Sequence, residues 1–208
     1  MPLPVDHLLY ATTELAEGMD EIEALLGVRP VVGGRHPGFG THNALLSLGP
    51  SVYLEVIARD PDLEVPPQGV LADVPSGTPG HLMTWVLRAT DITAAARDAR
   101  VAGVDLGDVE AGQRQNPSGE WVRWRLTDPY AERLGGALPF LIDWGDTPHP
   151  SGVAPSGGKF GSLRIEHPDP DSIRAALDVL DSDVDVCGGD RFCLVAMIET
   201  SRGLVELR

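Results

Sequence analysis

A chain of 208 residues is long enough for one large or two small domains around a packed core. Its 31 acidic and 16 basic residues leave a net charge of −15, which repels phosphate backbones and excludes nucleic acid as an expected partner. No apolar run approaches the roughly 18 residues that span a bilayer, and MPLPVDHLLYATTE lacks the basic start and unbroken apolar stretch of a secretory signal. The expectation is a cytoplasmic protein with no membrane partner and a small-molecule ligand, neutral or singly anionic.

Val5–Ala11 reads as a buried strand, and Thr13 can cap a helix whose Leu15, Met19, Ile22, Leu25 and Leu26 share one face before Gly27 ends it. Strands follow at 28–32, 41–48 and 52–58, the last two joined by a tight Gly49-Pro50-Ser51 turn. The Pro- and Gly-rich stretch 60–80 reads as a surface connector. The same order then returns: a strand at 82–88, a helix capped by Asp91 with Ile92, Ala95, Ala96, Ala99 and Ala102, a closing Gly103, and strands at 105–110, 121–127 and 138–144.

A second linker, 146–158, leads to a shorter copy with a strand at 161–166, a helix carrying Ile173, Ala176, Leu177 and Leu180, and strands at 184–187, 192–200 and 204–207. The expected organisation is a βαβββ module over 1–59, a second over 81–145 and a third, shorter one over 159–208. Cys187 and Cys193 bracket what reads as a hairpin tip. A five-residue loop would set them opposite each other and a shorter one would offset them; two reduced side chains are the expectation in the cytoplasm.

Val5-Asp6-His7-Leu8-Leu9-Tyr10-Ala11, a helix ending Leu25-Leu26-Gly27-Val28, then Gly40-Thr41-His42-Asn43-Ala44-Leu45-Leu46 and Tyr53-Leu54-Glu55-Val56-Ile57 make the first module resemble the glyoxalase-like proteins of the vicinal-oxygen-chelate superfamily. The second module carries the resemblance through Leu138-Pro139-Phe140-Leu141-Ile142-Asp143-Trp144. The resemblance implies an α+β fold: paired βαβββ modules, joined through their first strands into a cupped, largely antiparallel sheet with helices on the convex side. It also implies a divalent metal in the cleft, held by one side chain from the first and one from the fourth strand of each module. Members include glyoxalases, extradiol dioxygenases, epimerases, thiol transferases and metal-free proteins that sequester a ligand, so the fold constrains architecture more than chemistry. The third module is expected to pack against the paired sheet or to meet its own copy across a two-fold axis, which would make a homodimer.

On this resemblance the ligand positions fall on His7 and Glu55. Strand alternation puts His7 with Val5 and Leu9, and Glu55 with Tyr53 and Ile57, on the face away from the helix. Sliding the second module on the first sets Thr84 opposite His7 and Asp143 opposite Glu55. His7, Glu55 and Asp143 with water would then hold Mn, Zn, Ni or Fe, the carboxylates favouring Mn or Mg over Zn. Without a metal, His7 and Glu55 would form a hydrogen-bonded pair lining a pocket.

Val122, Trp124 and Leu126 suit the helix-packed face, which leaves Trp121, Arg123 and Arg125 for the cleft, where two arginines would bind one carboxylate, enolate or phosphate, or else pair with acidic neighbours. The segment 33–40 holds four glycines and reads as a loop able to close over a ligand, with His36 either an acid or base on that lid or an exposed loop histidine. Asn43, beside Tyr53 and Thr84, completes the expected substrate contacts. No nucleophile elbow, Cys-x-x-Cys pair or phosphate-binding loop is present. Two functions remain: a glyoxalase- or dioxygenase-like enzyme in which a metal polarises vicinal oxygens and Glu55 and His36 act on the substrate, or a metal-free protein that encloses a small planar ligand.

Overall fold

Alternation within the strands decides which side chains meet the helices and which meet the opposite side of the sheet. In the computed structural model, which describes residues 2–208, the first module runs β1 (Val5–Ala11), α1 (Leu15–Leu26), β2 (Val31–His36), β3 (Thr41–Ser47) and β4 (Tyr53–Arg59). The second repeats it as β5 (His81–Arg88), α2 (Ile92–Val101), β6 (Val109–Gln115), β7 (Trp121–Thr127) and β8 (Phe140–Asp143). In each, the first strand lies parallel to the fourth. β1 and β5 pair antiparallel, so eight strands form one sheet in the order β2-β3-β4-β1-β5-β8-β7-β6. This is the α+β, paired-module fold expected from the sequence.

Leu8 and Tyr10, with Ala44, Leu46, Leu54 and Val56, form the face that packs under Leu15, Met19, Ile22 and Leu26 of α1. Gly27 ends that helix at φ 84°, a left-handed turn that glycine adopts without steric cost. The helix begins after Glu14, which makes no side-chain cap, and not at Thr13. At α2 the expected cap is present: the Asp91 carboxylate accepts the Ala94 N–H at 3.0 Å.

The third module keeps the βαβββ order as β9 (Lys159–His167), α3 (Pro170–Val179), β10 (Asp185–Gly188), β11 (Cys193–Thr200) and β12 (Gly203–Leu207), but its pairing differs. β9 pairs with the second strand, β10, in parallel and with β11 antiparallel, giving the order β10-β9-β11-β12. This small sheet covers the helix side of the large one, with β11 against β5. Leu163, Ile165, Leu194 and Ile198 thereby share one core with Leu8, Trp85 and Leu87. Of the two places expected for the third module, it takes the one within its own chain.

Cys187 and Cys193 each register with Glu166, from opposite sides of β9. Two strand spacings, about 9.6 Å, separate them, beyond the reach of a disulfide, and both thiols are free. They do not face each other across one hairpin.

β2 and β6, the equivalent strands of the two modules, lie later in the chain than their apolar patterns suggest. They are the two edges of the large sheet, and the sheet curls until these edges touch. Arg114 Nη1 on β6 donates to the Gly33 carbonyl on β2. A Cβ on Gly34 would collide with the Gln115 carbonyl, so only glycine permits this approach.

Candidate functional site

The inside of the curl carries a second apolar cluster, including Leu9, Leu45, Tyr53, Ile57, Val86, Trp124, Leu126, Phe140, Ile142 and Trp144. Into this lining His7, Asn43 and Glu55 project from β1, β3 and β4, all buried. The pairing of β1 with β5 shifts register between Val5 and His7. This bulge releases Asp6 from strict alternation, and its carboxylate reaches the Nδ1 of the neighbouring His7 at 2.7 Å.

Asp6 is fully buried, with Trp144 Nε1 at 3.2 Å, His149 Nε2 at 3.1 Å and Arg88 Nη1 at 3.7 Å. Burial alone would raise its pKa. Hydrogen bonds to His149 and His7, together with the charge those rings carry when protonated, outweigh burial and hold the carboxyl well below the usual range. An ionised carboxylate only accepts, so Nδ1 of His7 keeps its hydrogen and Nε2 is the basic atom. That Nε2 lies 3.6 Å from Glu55 Oε2, while Asn43 Nδ2 donates to Glu55 Oε1 at 2.8 Å. Tyr53 stacks on the His7 ring at 4.4 Å, and burial raises its hydroxyl well above the ordinary value, so it stays neutral.

A cavity of about 50 Å³ is lined by these polar groups and by Phe39, Trp124, Phe140 and Trp144. It shares His36, Phe39, Arg114 and Trp124 with an outer groove of about 820 Å³ along β2 and β6. The inner space suits a reacting group and the groove the remainder of a ligand.

The pairing registers settle which residues of the second module correspond to His7 and Glu55. His7 faces Val86 and Leu9 faces Thr84 across the antiparallel β1–β5 pair, so the pseudo-two-fold between modules exchanges His7 with Thr84 and Leu9 with Val86. Leu9 registers with Glu55, and Val86 with Phe140. The counterpart of Glu55 is therefore Phe140, three residues before the position that linear sliding selects. Asp143 points to the other side of β8 and accepts the Gly145 N–H at 2.9 Å, a turn cap that removes it from any set with His7 and Glu55.

Thr84 accepts a hydrogen bond from Arg133 Nη1 at 3.1 Å and donates to the Gly136 carbonyl at 3.3 Å. The Arg133 guanidinium, pulled down to about 10 by burial and still a cation at neutral pH, lies 5.2 Å from the Phe140 ring centroid. Where two more ligands would stand, the second module thus presents a committed hydroxyl, a phenyl ring and a positive charge. These residues do not fit a divalent ion, and no group of three or more His, Cys, Asp or Glu converges on a metal position among the described residues.

β7 is turned over relative to the expectation. Trp124 and Leu126 face the cleft, while Arg125 bonds Thr93 of α2 at 2.7 Å and Arg123 lies exposed over Trp121, which is itself 49% exposed. Apolar alternation identified the buried face correctly, but at β7 that face is the cleft and not the helix side. Asn43 and Tyr53 line the cavity. Thr84 turns to the same side of the sheet, but its hydroxyl is held by Arg133.

His36 is neither on a lid nor exposed. It ends β2, is buried against the Trp124 edge at 5.9 Å and lies 3.2 Å from Thr41 Oγ1. Burial lowers its pKa to about 4 although the Glu55 charge opposes this, whereas the unfolded chain protonates near 6.5. Stability from the neutral ring is therefore full above pH ~6.5 and is lost as pH falls toward 4, by roughly 3 kcal/mol in total. Urea unfolding between those limits is expected to show this slope in the wild type and a flatter one in His36→Gln. Equal slopes would show that the ring titrates as it does in water.

Sequence reading missed Asp6, Arg114, Trp124, Phe140 and Trp144 as inward groups, whereas His149, a distant cleft candidate by its place shortly after Asp143, does reach the buried Asp6. Alternation of Phe140, Ile142 and Trp144 in and just after β8 was the available signal for three of the lining positions.

This geometry of two βαβββ modules sharing one curved sheet around a polar-floored cleft is that of the vicinal-oxygen-chelate fold. The chain belongs to the glyoxalase-like domain family, whose model matches residues 5–180. Among solved structures it is similar to a hypothetical protein from Staphylococcus aureus, with 13% identity and a TM-score of 0.70 over 100% of this chain and 99% of that one. It is also similar to a mutant 4-hydroxymandelate synthase from Streptomyces coelicolor, with 14% identity and a TM-score of 0.52 over 99% of this chain and 62% of that one. Methylmalonyl-CoA epimerase from Mycobacterium tuberculosis aligns with 21% identity and a TM-score of 0.46, over 68% and 87% of the two chains. No curated protein matches the chain. At such identities the first two likenesses establish the fold and not the chemistry. No helix among the described residues is long and apolar enough to cross a membrane.

Proposed function

We propose that the chain is a small-molecule enzyme that moves a proton on a planar substrate of at most one negative charge, using side chains of the first module and no metal. The observation that carries this reading is the line from buried Asp6 to His7 and Glu55, the last two on the cavity wall, with 2.7 Å between the first pair and 3.6 Å between the second. Asp6 fixes the tautomer and orientation of the imidazole. Nε2 of His7 takes a proton from a carbon beside a carbonyl, and the electron pair left behind delocalises onto the carbonyl oxygen. Glu55, held by Asn43, is the second proton carrier. Such positioned acid–base pairs contribute about 10²–10⁴ in rate. The rings of Tyr53, Trp124, Phe140 and Trp144 would receive the planar part of the substrate.

The test is hydrogen–deuterium exchange at the acidic carbon of phenylpyruvate and of other small carbonyl compounds in D2O, followed by NMR. Wild-type protein is expected to accelerate exchange equally with and without a chelator, and His7→Asn or Glu55→Gln to reduce the acceleration about 10²-fold or more. Exchange that stops with chelator and returns with Mn, Zn, Ni or Fe would instead support the metal-polarising enzyme. The aromatic lining favours one other reading, a metal-free protein that sequesters its ligand; stoichiometric binding without exchange on any compound would select it.

A further inference from the structure

Arginines of this chain are mostly exposed and paired with carboxylates: Arg29 with Asp20 and Glu23, Arg35 with Asp60 and Asp62, Arg100 with Asp105 and Asp108. Arg114 is different. It is only 6% exposed, makes its one side-chain hydrogen bond to the Gly33 carbonyl, and has no carboxylate within salt-bridge distance among the described residues, the Glu55 charge of the same cavity acting on it only at longer range. Burying a charge without a hydrogen-bonded counter-ion is costly, and a chain with 31 acidic residues does not lack partners to supply. The other buried arginine, Arg133, leaves only its Nε unmet and is held through both terminal nitrogens by Thr84, Leu138 and Pro129 oxygens and by the Phe140 ring. Arg114 instead lines both the inner cavity and the outer groove, with most of its donors unused.

A second group beside it is also incomplete. Asn43 is 2% exposed and its Oδ1 is buried without a hydrogen-bond partner. Its Nδ2 is committed to Glu55, which fixes the amide orientation. A Cβ on Gly33 would collide with this Oδ1, and Gly33 is also the residue whose carbonyl Arg114 holds. A cationic donor set and a neutral acceptor, both incompletely met, therefore neighbour the same glycine and belong to side chains that line the same cavity.

We infer that Arg114 is the anion-recognition residue of the cleft, and that the ligand is a small monoanion whose carboxylate seats on Arg114 and whose hydroxyl or N–H donates to Asn43 Oδ1. A guanidinium matches a carboxylate through two parallel hydrogen bonds, and a single unpaired cation selects a single negative charge. The inference rests on the reading of this cleft as a small-molecule site, though not on proton transfer within it. It places the anion site on β6, not on the β7 arginines Arg123 and Arg125.

The probes are phenyllactate, phenyllactamide and 3-phenylpropionate, titrated by tryptophan fluorescence and calorimetry. Phenyllactate is expected to bind wild type about tenfold more tightly than either of the others. In Arg114→Met the preference for carboxylate over amide should fall to within about twofold while amide affinity holds, and Arg114→Lys should retain part of it. Since Arg114 also clasps the two sheet edges, circular dichroism of both variants confirms folding, and the lysine variant alone suffices if the methionine variant fails. Equal binding of acid and amide, no binding of either at millimolar concentration, a preference that survives Arg114→Met, or one lost in Arg123→Met/Arg125→Met would overturn the inference. Carboxylate preference without deuterium exchange would leave it standing and remove the enzyme reading; exchange with no preference would do the reverse.

Discussion

Replacing Asp6 by alanine is expected to lower the unfolding midpoint by about 10 °C at neutral pH. Its carboxylate is fully buried and receives His7, His149 and Trp144 at once, so the substitution strips three donors of their common acceptor. Removing one partner from such a buried arrangement costs about 3 to 5 kcal/mol. The pH dependence separates this from loss of packing. Asp6 is held below its ordinary value in the fold, so its contribution is full above the unfolded value near 3.9 and declines as pH falls below it. The deficit of the variant should therefore be complete at pH ~7 and should narrow only under about pH 3.9. Thermal unfolding across that range measures it, and a deficit independent of pH would assign Asp6 a steric role alone.

Trp85→Ala is the second substitution expected to have a large effect, about 3 to 5 kcal/mol by chemical unfolding. Trp85 is fully buried on the helix side of β5, where the third module lies, and its Nε1 donates to the Ala137 carbonyl at 2.9 Å. A cavity there lies within the core shared by the two sheets, so unfolding should remain a single transition shifted to lower denaturant. A loss below about 1 kcal/mol, or a separate early transition, would show that the small sheet repacks or unfolds independently of the large one. Trp85→Phe should recover most of the packing and leave the deficit of one hydrogen bond, about 1 kcal/mol.

The legible parts of this sequence were those with strongly apolar buried faces. β1, α1, β4 and β7 stand where their apolar runs and periods place them, β1 and β4 because both faces are buried and α1 and β7 because one face is pressed against a core. β2 and β6 were displaced because an edge strand shows no such contrast: Val31 and Val32 are exposed, and β6 reads VEAGQRQ. Arg114 was lost with β6. The cleft itself broke the rule that apolar residues face helices, since at β7 the aromatic wall is the buried side. Asp6 was hidden by a bulge, which alternation cannot foresee. The position opposite Glu55 could not be found by sliding, because the loops before β8 differ in length from those before β4; only strand pairing identifies Phe140.

The pseudo-two-fold that relates the modules relates their backbones and not their chemistry. A ligand lying on that axis can be turned by half a revolution without changing the shape of the sheet around it, but one orientation meets His7 and Glu55 and the other meets Thr84 and Phe140. The basic nitrogen is thus available from one side only, and the opposite side offers a ring and a fixed guanidinium that exchange no proton at neutral pH. For a flat substrate of the proposed enzyme this would divide its two faces into one that reacts and one that is merely held. On the proton-transfer reading, handedness in the product would follow from the loss of symmetry between two halves that share one topology.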